Sequence, residues 1–508
     1  MHGNRVPLEL LSEMSELYSA HYGFWGDKGR RPGEHIRLSA ETIRRNWLAH
    51  ANSRVVFARA FGMLVGYAIA VQFDGGSGFV TWVTQLVVHE EHRRSDVGKT
   101  LLFTLWQFTD HIAWGLVSAN PFAVRALEKA TRRRCSPGMI AANSDAILRW
   151  GTEVVSYLSS DDGVKMNANE ASINTRFYLD HAELPAMLRS AQEKVPWLMG
   201  NLEEGWEWLA FTFREQQQIQ LADKETEQML RASDGVTKHA FSRMAGQQPW
   251  MKSTASEVAF IIQNCSLIAD QKVLDFGCGS GRHAIGLAKS GIASVGVDYV
   301  QNLIATARAR ARQEGVSNAA FMVGDCRDIE LGDSFDAAIC IYDVIGTYAE
   351  DADNLAILRN LARYVKPGGH VLLSVMNMEL TLRKARYRFS MKSDPDKLLM
   401  LKPSNTMELS GDIFNPEYYL LDEEKGLVYR KEQFSEGMEI PEELLVRDRR
   451  YRQQEIENLC RKAHLNVLWS RCVRSGQWDE ALAPDNDRAK EILLLCTVPE
   501  FQSATLFE

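Results

Sequence analysis

Between residues 272 and 376 the chain alternates short apolar runs with amphipathic helical segments, and this alternation restricts its fold more than any other feature. Strands are expected at 272–276, 294–298, 320–324, 335–342 and 369–376, with helices at 282–290, 301–314 and 351–364. Apolar strands separated by helices of this length imply a mostly parallel sheet covered on both faces. Beyond Arg383 the pattern changes to shorter strands with polar alternation, near 418–421, 427–432 and 492–497. These read as an insertion and the final antiparallel edge of the sheet.

The 508 residues exceed what one domain usually holds. An earlier region shows amphipathic helices at 7–22 and 40–49, strands at 55–59, 64–73 and 79–88, a helix at 97–108, a strand at 112–118 and a helix at 121–129. Strands at 175–181 and 206–214, around a helix at 183–192, are expected to complete it. The expected organisation is a first domain over 1–217, with its core at 6–135 and a less regular part at 140–217. A helical linker at 218–235 follows, then a second domain over 236–508 with an insertion at about 383–450.

Apolar residues make up 45% and charged residues 24% of the chain, which excludes disordered and collagenous classes. A net charge of −8 argues against nucleic acid as a partner, because tracking phosphates needs clustered cations. The longest apolar-leaning run, 63–73, is too short for a membrane span, so no membrane association is expected. The eight cysteines show no C-x-x-C pair and no metal-ligand spacing, and the segment after Met1 lacks a continuous apolar region. These features suit a cytoplasmic protein with buried free thiols and no metal. His89-Glu90-Glu91-His92 places its histidines three apart, which is not the spacing of a helical zinc motif.

The strongest chemical signal is Val273-Leu274-Asp275-Phe276-Gly277-Cys278-Gly279-Ser280-Gly281, where a strand ends and a helix opens. Glycines there permit positive φ and close approach of a ligand to backbone, and the following helix presents free N–H donors. Asp298 ends the next strand, where a carboxylate can accept from two ribose hydroxyls. The G-x-G-x-G spacing differs from the dinucleotide G-x-G-x-x-G, and Asp275 would repel a pyrophosphate while tolerating a cation. A sulfonium nucleoside fits better than a dinucleotide.

These residues resemble the class I S-adenosylmethionine-dependent methyltransferases, with a Rossmann-like, mostly parallel seven-stranded sheet, from about residue 235 onward. The resemblance implies that Asp275, Gly277, Cys278, Gly279 and Gly281 line the donor loop, that Asp298 holds ribose, and that Asp325, Cys326 and Arg327 flank adenine. Ile341, Tyr342 and Asp343 would lie beside the methyl group, and Lys366-Pro367-Gly368-Gly369 matches the family's turn before strand five. Tyr342, Asp343 and His283 are the catalytic candidates, with Tyr348, Asn377, Tyr418, Tyr429 and Arg449 as further residues around an acceptor. The Asn/Asp-Pro-Pro-aromatic and Pro-Cys patterns used on nucleic-acid bases are missing, which favours a small-molecule acceptor. The segment Arg447-Asp448-Arg449-Arg450-Tyr451 is similar to the entry to the last helix in small-molecule members.

A second signal lies at Gln85-Leu86-Val87-Val88-His89 and Arg93-Arg94-Ser95-Asp96-Val97-Gly98-Lys99, an apolar strand followed by a basic turn and a helix. A P-loop is excluded because Arg93 takes the place of its first glycine. The arrangement resembles the GCN5-related N-acetyltransferase (GNAT) family, whose mixed α/β sheet binds acetyl-CoA at such a loop. Asn120-Pro121-Phe122-Ala123 is similar to that family's Asn-x-x-Ala helix start. The resemblance implies that Val88, Arg93, Arg94, Val97, Gly98, Lys99 and Asn120 contact acetyl-CoA. Two residues depart from the pattern: Asp96 replaces a glycine, and Leu127 stands where many members carry a tyrosine acid. Trp197, Trp206 and Trp208 with Glu203, Glu204 and Glu207 fit core packing better than a cleft for a cation.

The combined expectation is a fused transferase. S-adenosylmethionine-dependent methyl transfer to a small amine, amino-acid derivative or hydroxyl would accompany acetyl-CoA-dependent acetyl transfer. Two alternatives stay open: a methyltransferase whose degenerate first domain binds substrate or a partner, and an RNA-modifying methyltransferase.

Overall fold

The computed structural model describes residues 1–155, 163–241, 252–405, 412–434 and 440–500. It divides into two compact units, Met1–Ser233 with Ser435–Glu443, and Asp234–Phe434 with Leu444–Glu508. The stretch 218–235 is largely taken up by the helix Asp223–Phe241. Among the described residues no helix is long and apolar enough to cross a membrane.

The first unit is built on strands β1 (Ser53–Ala60), β2 (Met63–Asp74), β3 (Phe79–Val88), β4 (Ala113–Ser118), β5 (Val164–Met166), β6 (Ala171–Asn174) and β7 (Trp206–Phe213). They form one sheet in the order β1-β2-β3-β4-β7-β6-β5. The helix Leu8–His21 buries Leu10, Leu11, Met14, Leu17 and Tyr18, a helical stripe, against Val55, Tyr67, Ile69 and Val87 of the sheet. The helix Pro121–Thr131 begins with proline in its first turn and the Asn120 side chain accepting from Phe122 N–H at 2.9 Å, a standard N-terminal cap.

The parallel pairing of β3 with β4 is short. It joins Val80–Val83 to Ala113–Leu116, while β3 stays paired with β2 through Val88 and β4 with β7 through Ser118. The β2–β3 register shifts between Ile69 and Ala70, and such a bulge bends the strand and increases its twist. Beyond Val83 and Leu116 no further β3–β4 ladder pair occurs among the described residues.

One expected strand is corrected. Residues 175–181 form no ladder; β6 lies just before them, Arg176 turns the chain at φ 53°, and Leu179 makes only an isolated bridge to Trp25. The alternation there reflects Phe177 and Leu179 packing against the hydrophobic cluster under the helix Leu8–His21.

The second unit contains β8 (Lys272–Phe276), β9 (Ala293–Asp298), β10 (Ala319–Val323), β11 (Phe335–Cys340), β12 (Val365–Met376), β13 (Tyr419–Asp422), β14 (Leu427–Phe434), β15 (Glu442–Arg449), β16 (Asn466–Arg474), β17 (Gln477–Leu482) and β18 (Glu491–Thr497). The main sheet runs β10-β9-β8-β11-β12-β18-β16-β17, and β13-β14-β15 form a separate small sheet. Strands β8 to β12 pair in parallel; β18 is antiparallel to both β12 and β16.

Two expectations are corrected here. The sheet has eight strands rather than seven, because β17 pairs antiparallel with β16 and extends it. The 492–497 strand is interior rather than the edge. Ile492, Leu493, Leu494, Leu495 and Cys496 are all buried, a continuous run that suits a strand covered on both faces, whereas β17 buries only Trp478.

The core of the first unit is tight at Gly115 on β4. A Cβ there would meet the ring of Phe211, its partner on β7, at 2.2 Å, and that ring is held edge-on against Trp82 at 4.9 Å. Gly115→Val is expected to destabilise this unit by about 1–3 kcal/mol through overpacking. Urea unfolding followed by tryptophan fluorescence checks this, and an unchanged midpoint would contradict the described packing.

Candidate functional site

In the second unit the chain leaves β8 through Gly277, Gly279 and Gly281, at φ 71°, 54° and 77°. The loop is pinned to the neighbouring strand: Gly277 N–H and Cys278 N–H donate to Val297 O at 2.8 and 3.0 Å. A Cβ on Gly277 would strike Val344 at 2.3 Å and one on Gly281 would strike Phe321 at 2.6 Å, so packing excludes side chains at both. At Gly279 a Cβ would meet nothing within 4 Å. The space over Gly279 is open to a ligand resting on the backbone.

Asp298 accepts from Gly279 N–H at 3.0 Å and from Val300 N–H at 2.9 Å, which fixes both carboxylate oxygens at the loop. Asp275 is buried beneath it. Burial pushes the Asp275 carboxyl up to about 7, with Asp298 adding to the shift and Arg282 opposing it, and its Oδ2 has no hydrogen-bond partner. Asp325 pairs with Arg327 at 2.7 Å, and Arg327 also reaches Asp353 at 2.7 Å and lies over the Tyr348 ring at 4.4 Å. Cys278 and Cys326 are buried, their thiols raised by burial, and Ile341 is buried at the end of β11.

Next to the glycine loop, β11 ends in a strained turn. Tyr342 and Asp343 are consecutive non-glycine residues at φ 62° and 66°, a conformation costing on the order of 1–3 kcal/mol per residue. Tyr342 N–H donates to Ser374 Oγ at 2.9 Å, and its hydroxyl donates to Glu257 Oε1. Glu257, on the helix Thr254–Asn264, also grips Arg282 and accepts from His283 Nε2 at 2.7 Å. Burial drives the His283 imidazole down to about 4, with Arg282 reinforcing and Glu257 opposing, so the ring is neutral near pH 7. Asp343 is pushed well up by burial and by neighbouring Asp448. Glu491, the first residue of β18, is pushed up to about 7 by burial and lies within the field of Glu257 and Arg282.

The other acceptor candidates have structural partners. Asn377 caps the helix Met378–Lys384 and donates to Pro484 O and Ala489 O, both at 2.7 Å. Tyr429 packs on Phe389, and Arg449 pairs with Asp351 at 3.1 Å beside Tyr451. Tyr418 lies under the Lys402 ammonium. A cavity of about 330 Å³ at the opposite edge of the sheet, lined by Lys272, Ser294, Asn318 and Asp333 among others, lies away from all these groups.

In the first unit the loop after β3 takes positive φ at Arg94 (62°) and Asp96 (66°) before the helix Val97–Trp106. Three expected acetyl-CoA residues are turned onto the protein itself. Arg93 donates to Val88 O at 3.3 Å and to His21 O; Lys99 is buried against Asp96 at 3.0 Å and Glu225 at 3.7 Å; Asn120 is occupied as a helix cap. Gly98 has only ordinary 3.9 Å neighbours where a Cβ would stand, and Arg94 lies over Phe122. Trp197 and Trp208 both donate to Gly200 O, which is packing, while Glu203 and Glu204 pair with Lys165 and Lys28. Glu207 differs. It is buried where β4 ends, and burial pushes it up to about 7 against the hydrogen bonds of Thr175 and Ala119 N–H.

The strand order, with a glycine loop after β8 and an acid ending β9, is Rossmann-like, and family-model matches identify a methyltransferase domain and a GNAT domain in the same chain. Residues 273–369 match the family model for a methyltransferase domain, and residues 12–130 match that of the acetyltransferase (GNAT) family. A ubiquinone biosynthesis O-methyltransferase from Aliivibrio fischeri is 29% identical over 148 residues, 29% of this chain and 59% of that protein. One from Rickettsia conorii is 29% identical over 170 residues, 32% of this chain and 55% of that protein. The chain thus spans a little over half the length of these relatives. A solved S-adenosylmethionine-dependent methyltransferase from Clostridium acetobutylicum aligns at 16% identity and a TM-score of 0.36, covering 49% of this chain and 92% of that one.

Sequence reasoning missed Glu257, Glu491 and Ser374, because each comes from an element distant in sequence and carries no motif. Glu491 held one signal: it is an acid opening a continuously apolar strand. Its raised folded value sets a pH dependence. Its favourable contribution is complete below the unfolded carboxyl range and is lost as pH climbs from about 4.5 to about 7. Glu491→Gln should flatten the fall in thermal midpoint over that window, measured by calorimetric scans from pH 4.5 to 8; an unaltered slope would show that Glu491 ionises freely.

Proposed function

We propose that the second unit transfers a methyl group from S-adenosylmethionine to a small-molecule acceptor at the carboxyl edge of its sheet, and that the first unit is an acetyl-CoA-dependent acetyltransferase. The observation carrying the first half is the open backbone over Gly279 with Asp298 fixed beside it and the orphaned Asp275 oxygen below. These residues fit a cationic nucleoside. The bound donor supplies an electrophilic methyl on sulfur, so the reaction needs alignment and desolvation more than a protein nucleophile.

In this reading Asp298 accepts from ribose hydroxyls while the loop N–H groups keep its carboxylate oriented. Arg327, held by Asp325 and Asp353, closes one side of the nucleoside pocket with Tyr348. Tyr342 and His283, anchored on Glu257, form the wall against which the acceptor is oriented. Neutral His283 adds no positive charge next to the sulfonium.

For the first unit, support comes from the end of β3–β4 pairing at Val83 and Leu116, which leaves ladder positions where a thioester can pair, and from the uncrowded backbone at Gly98. Glu207, on β7 beside the end of β4, would take a proton from an acceptor there, and burial poises it near neutrality. The inward-turned Arg93 and Lys99 favour a second reading, in which the unit binds substrate or a partner without acetyl transfer.

Calorimetric titration of the full chain separates these. S-adenosylmethionine is expected to bind, and Asp298→Ala to weaken it by about tenfold or more, equivalent to about 1.4 kcal/mol, without changing acetyl-CoA binding. Gly98→Glu is expected to abolish acetyl-CoA binding alone. No heat from acetyl-CoA with the unaltered chain would establish the second reading, and none from S-adenosylmethionine would overturn the first.

A further inference from the structure

Buried polar atoms are nearly always paired, so a concentration of unpaired ones marks a place built for something else. In the second unit, buried atoms without a hydrogen bond of good geometry include Asp343 Oδ1, both Glu491 oxygens, Arg282 Nη2, Asp275 Oδ2 and Arg450 Nε. They belong to one electrostatic neighbourhood. Asp343 is influenced by Glu491, Asp448, Arg450 and Arg430; Glu491 by Glu257 and Arg282; Asp275 by Arg282.

Of the cations in this neighbourhood, Arg430 and Arg282 are paired with acids, whereas Arg450 donates only to neutral oxygens. Arg430 pairs with Asp448 at 3.0 Å and Glu432 at 2.7 Å. Arg282 is bound to Glu257, and Arg450 donates to Thr381 Oγ1 at 2.8 Å and Ile413 O at 3.0 Å. Asp343 and Glu491 are left as two buried carboxyl groups, Glu491 being one of the charges that raise Asp343, and no ion pair to either occurs among the described residues. The Ser374 and Ser475 hydroxyls stand beside Glu491, within the field of Glu257 and Arg282. Glu491 is 1% exposed, and its β-sheet partner Met376 ends β12, so the carboxyl sits at the same edge as the end of β11. Among the described residues no group of three or more metal-ligating side chains occurs, and two carboxyl groups alone make a poor cation cage.

Building on the methyltransferase reading, we propose that the methyl acceptor is a small amine, held as its ammonium between Asp343 and Glu491 and methylated on nitrogen. An ammonium is the group that satisfies both carboxylates at once, whereas a neutral hydroxyl leaves one of them buried and uncompensated. Glu491 takes the proton that frees the nitrogen lone pair. The lone pair forms the N–C bond as the C–S bond breaks, the electron pair of that bond stays on sulfur, and the positive charge passes from sulfonium to the methylated ammonium. Glu491 returns its proton to water when the product leaves. Burial places the Glu491 carboxyl near 7, where it can both accept and release a proton at neutral pH.

The test uses the full chain with deuteromethyl-labelled S-adenosylmethionine and shape-matched pairs of small amines and alcohols, benzylamine with benzyl alcohol and tyramine with 4-ethylphenol among them, with products located by mass spectrometry. Label is expected on nitrogen only. Glu491→Gln and Asp343→Asn are expected to raise the amine KM about tenfold or more while the calorimetric Kd for S-adenosylmethionine stays within about twofold, which also shows that the variants fold. Label on oxygen, or donor binding with no amine methylated, would overturn the amine assignment and leave the methyltransferase reading intact. If the substitutions weaken the donor instead of the amine, the two carboxyl groups belong to the donor site and the proposal fails. Absence of donor binding in the unaltered chain would sink the underlying reading itself.

Discussion

The second unit turns on a single buried carboxylate. Glu257 receives the hydroxyl of Tyr342, the ring nitrogen of His283 and the guanidinium of Arg282, and so joins the helix Thr254–Asn264 to the first turn of the helix after the glycine loop and to the strained end of β11. Burial alone would push Glu257 up, but these partners outweigh it and hold it below the ordinary carboxylate value. Removing one partner from such a set leaves charge stranded in a dry environment, which is costly. The left-handed backbone at Tyr342 and Asp343 is tolerated because the surrounding bonds over-determine it.

Much of this unit was legible in the sequence for a physical reason. Strands buried on both faces must be continuously apolar, and helices covering them must be amphipathic, so 272–276 and 351–364 coincide with the observed elements. The loop glycines were legible because positive φ and close packing leave few alternatives at Gly277 and Gly281. The buried acids were not. Glu257, Asp343, Asp448 and Glu491 meet only after the sheet has formed, and a lone acid in sequence looks the same whether it will be solvated or buried. The place of β18 was misjudged because its apolar run signals burial without saying which strands flank it.

The first unit shows where motif reasoning loses force. Arg93 and Lys99 sit at the positions the family pattern assigns to an anionic ligand, yet their side chains serve His21, Val88, Asp96 and Glu225. Sequence spacing fixes where a Cα lies relative to a loop; it does not fix where a long, flexible side chain ends. Asp96 is the deciding neighbour, since an acid three residues before a buried lysine on the first helical turn gives that lysine an internal partner. Glu207 emerged instead from burial at a strand end, a property without a local signature.

All eight cysteines are buried; Cys278 lies in the glycine loop of the second unit, and it and Cys326 belong to hydrophobic clusters of that unit. Burial raises both thiols far above neutrality, so almost no reactive thiolate exists while they stay covered. The loop region thereby carries its own reporters of opening. A thiol reagent reaches them only when the loop and its neighbours move apart, and a molecule bridging Gly279 and Asp298 slows that motion, turning the rate of alkylation into a clock for occupancy.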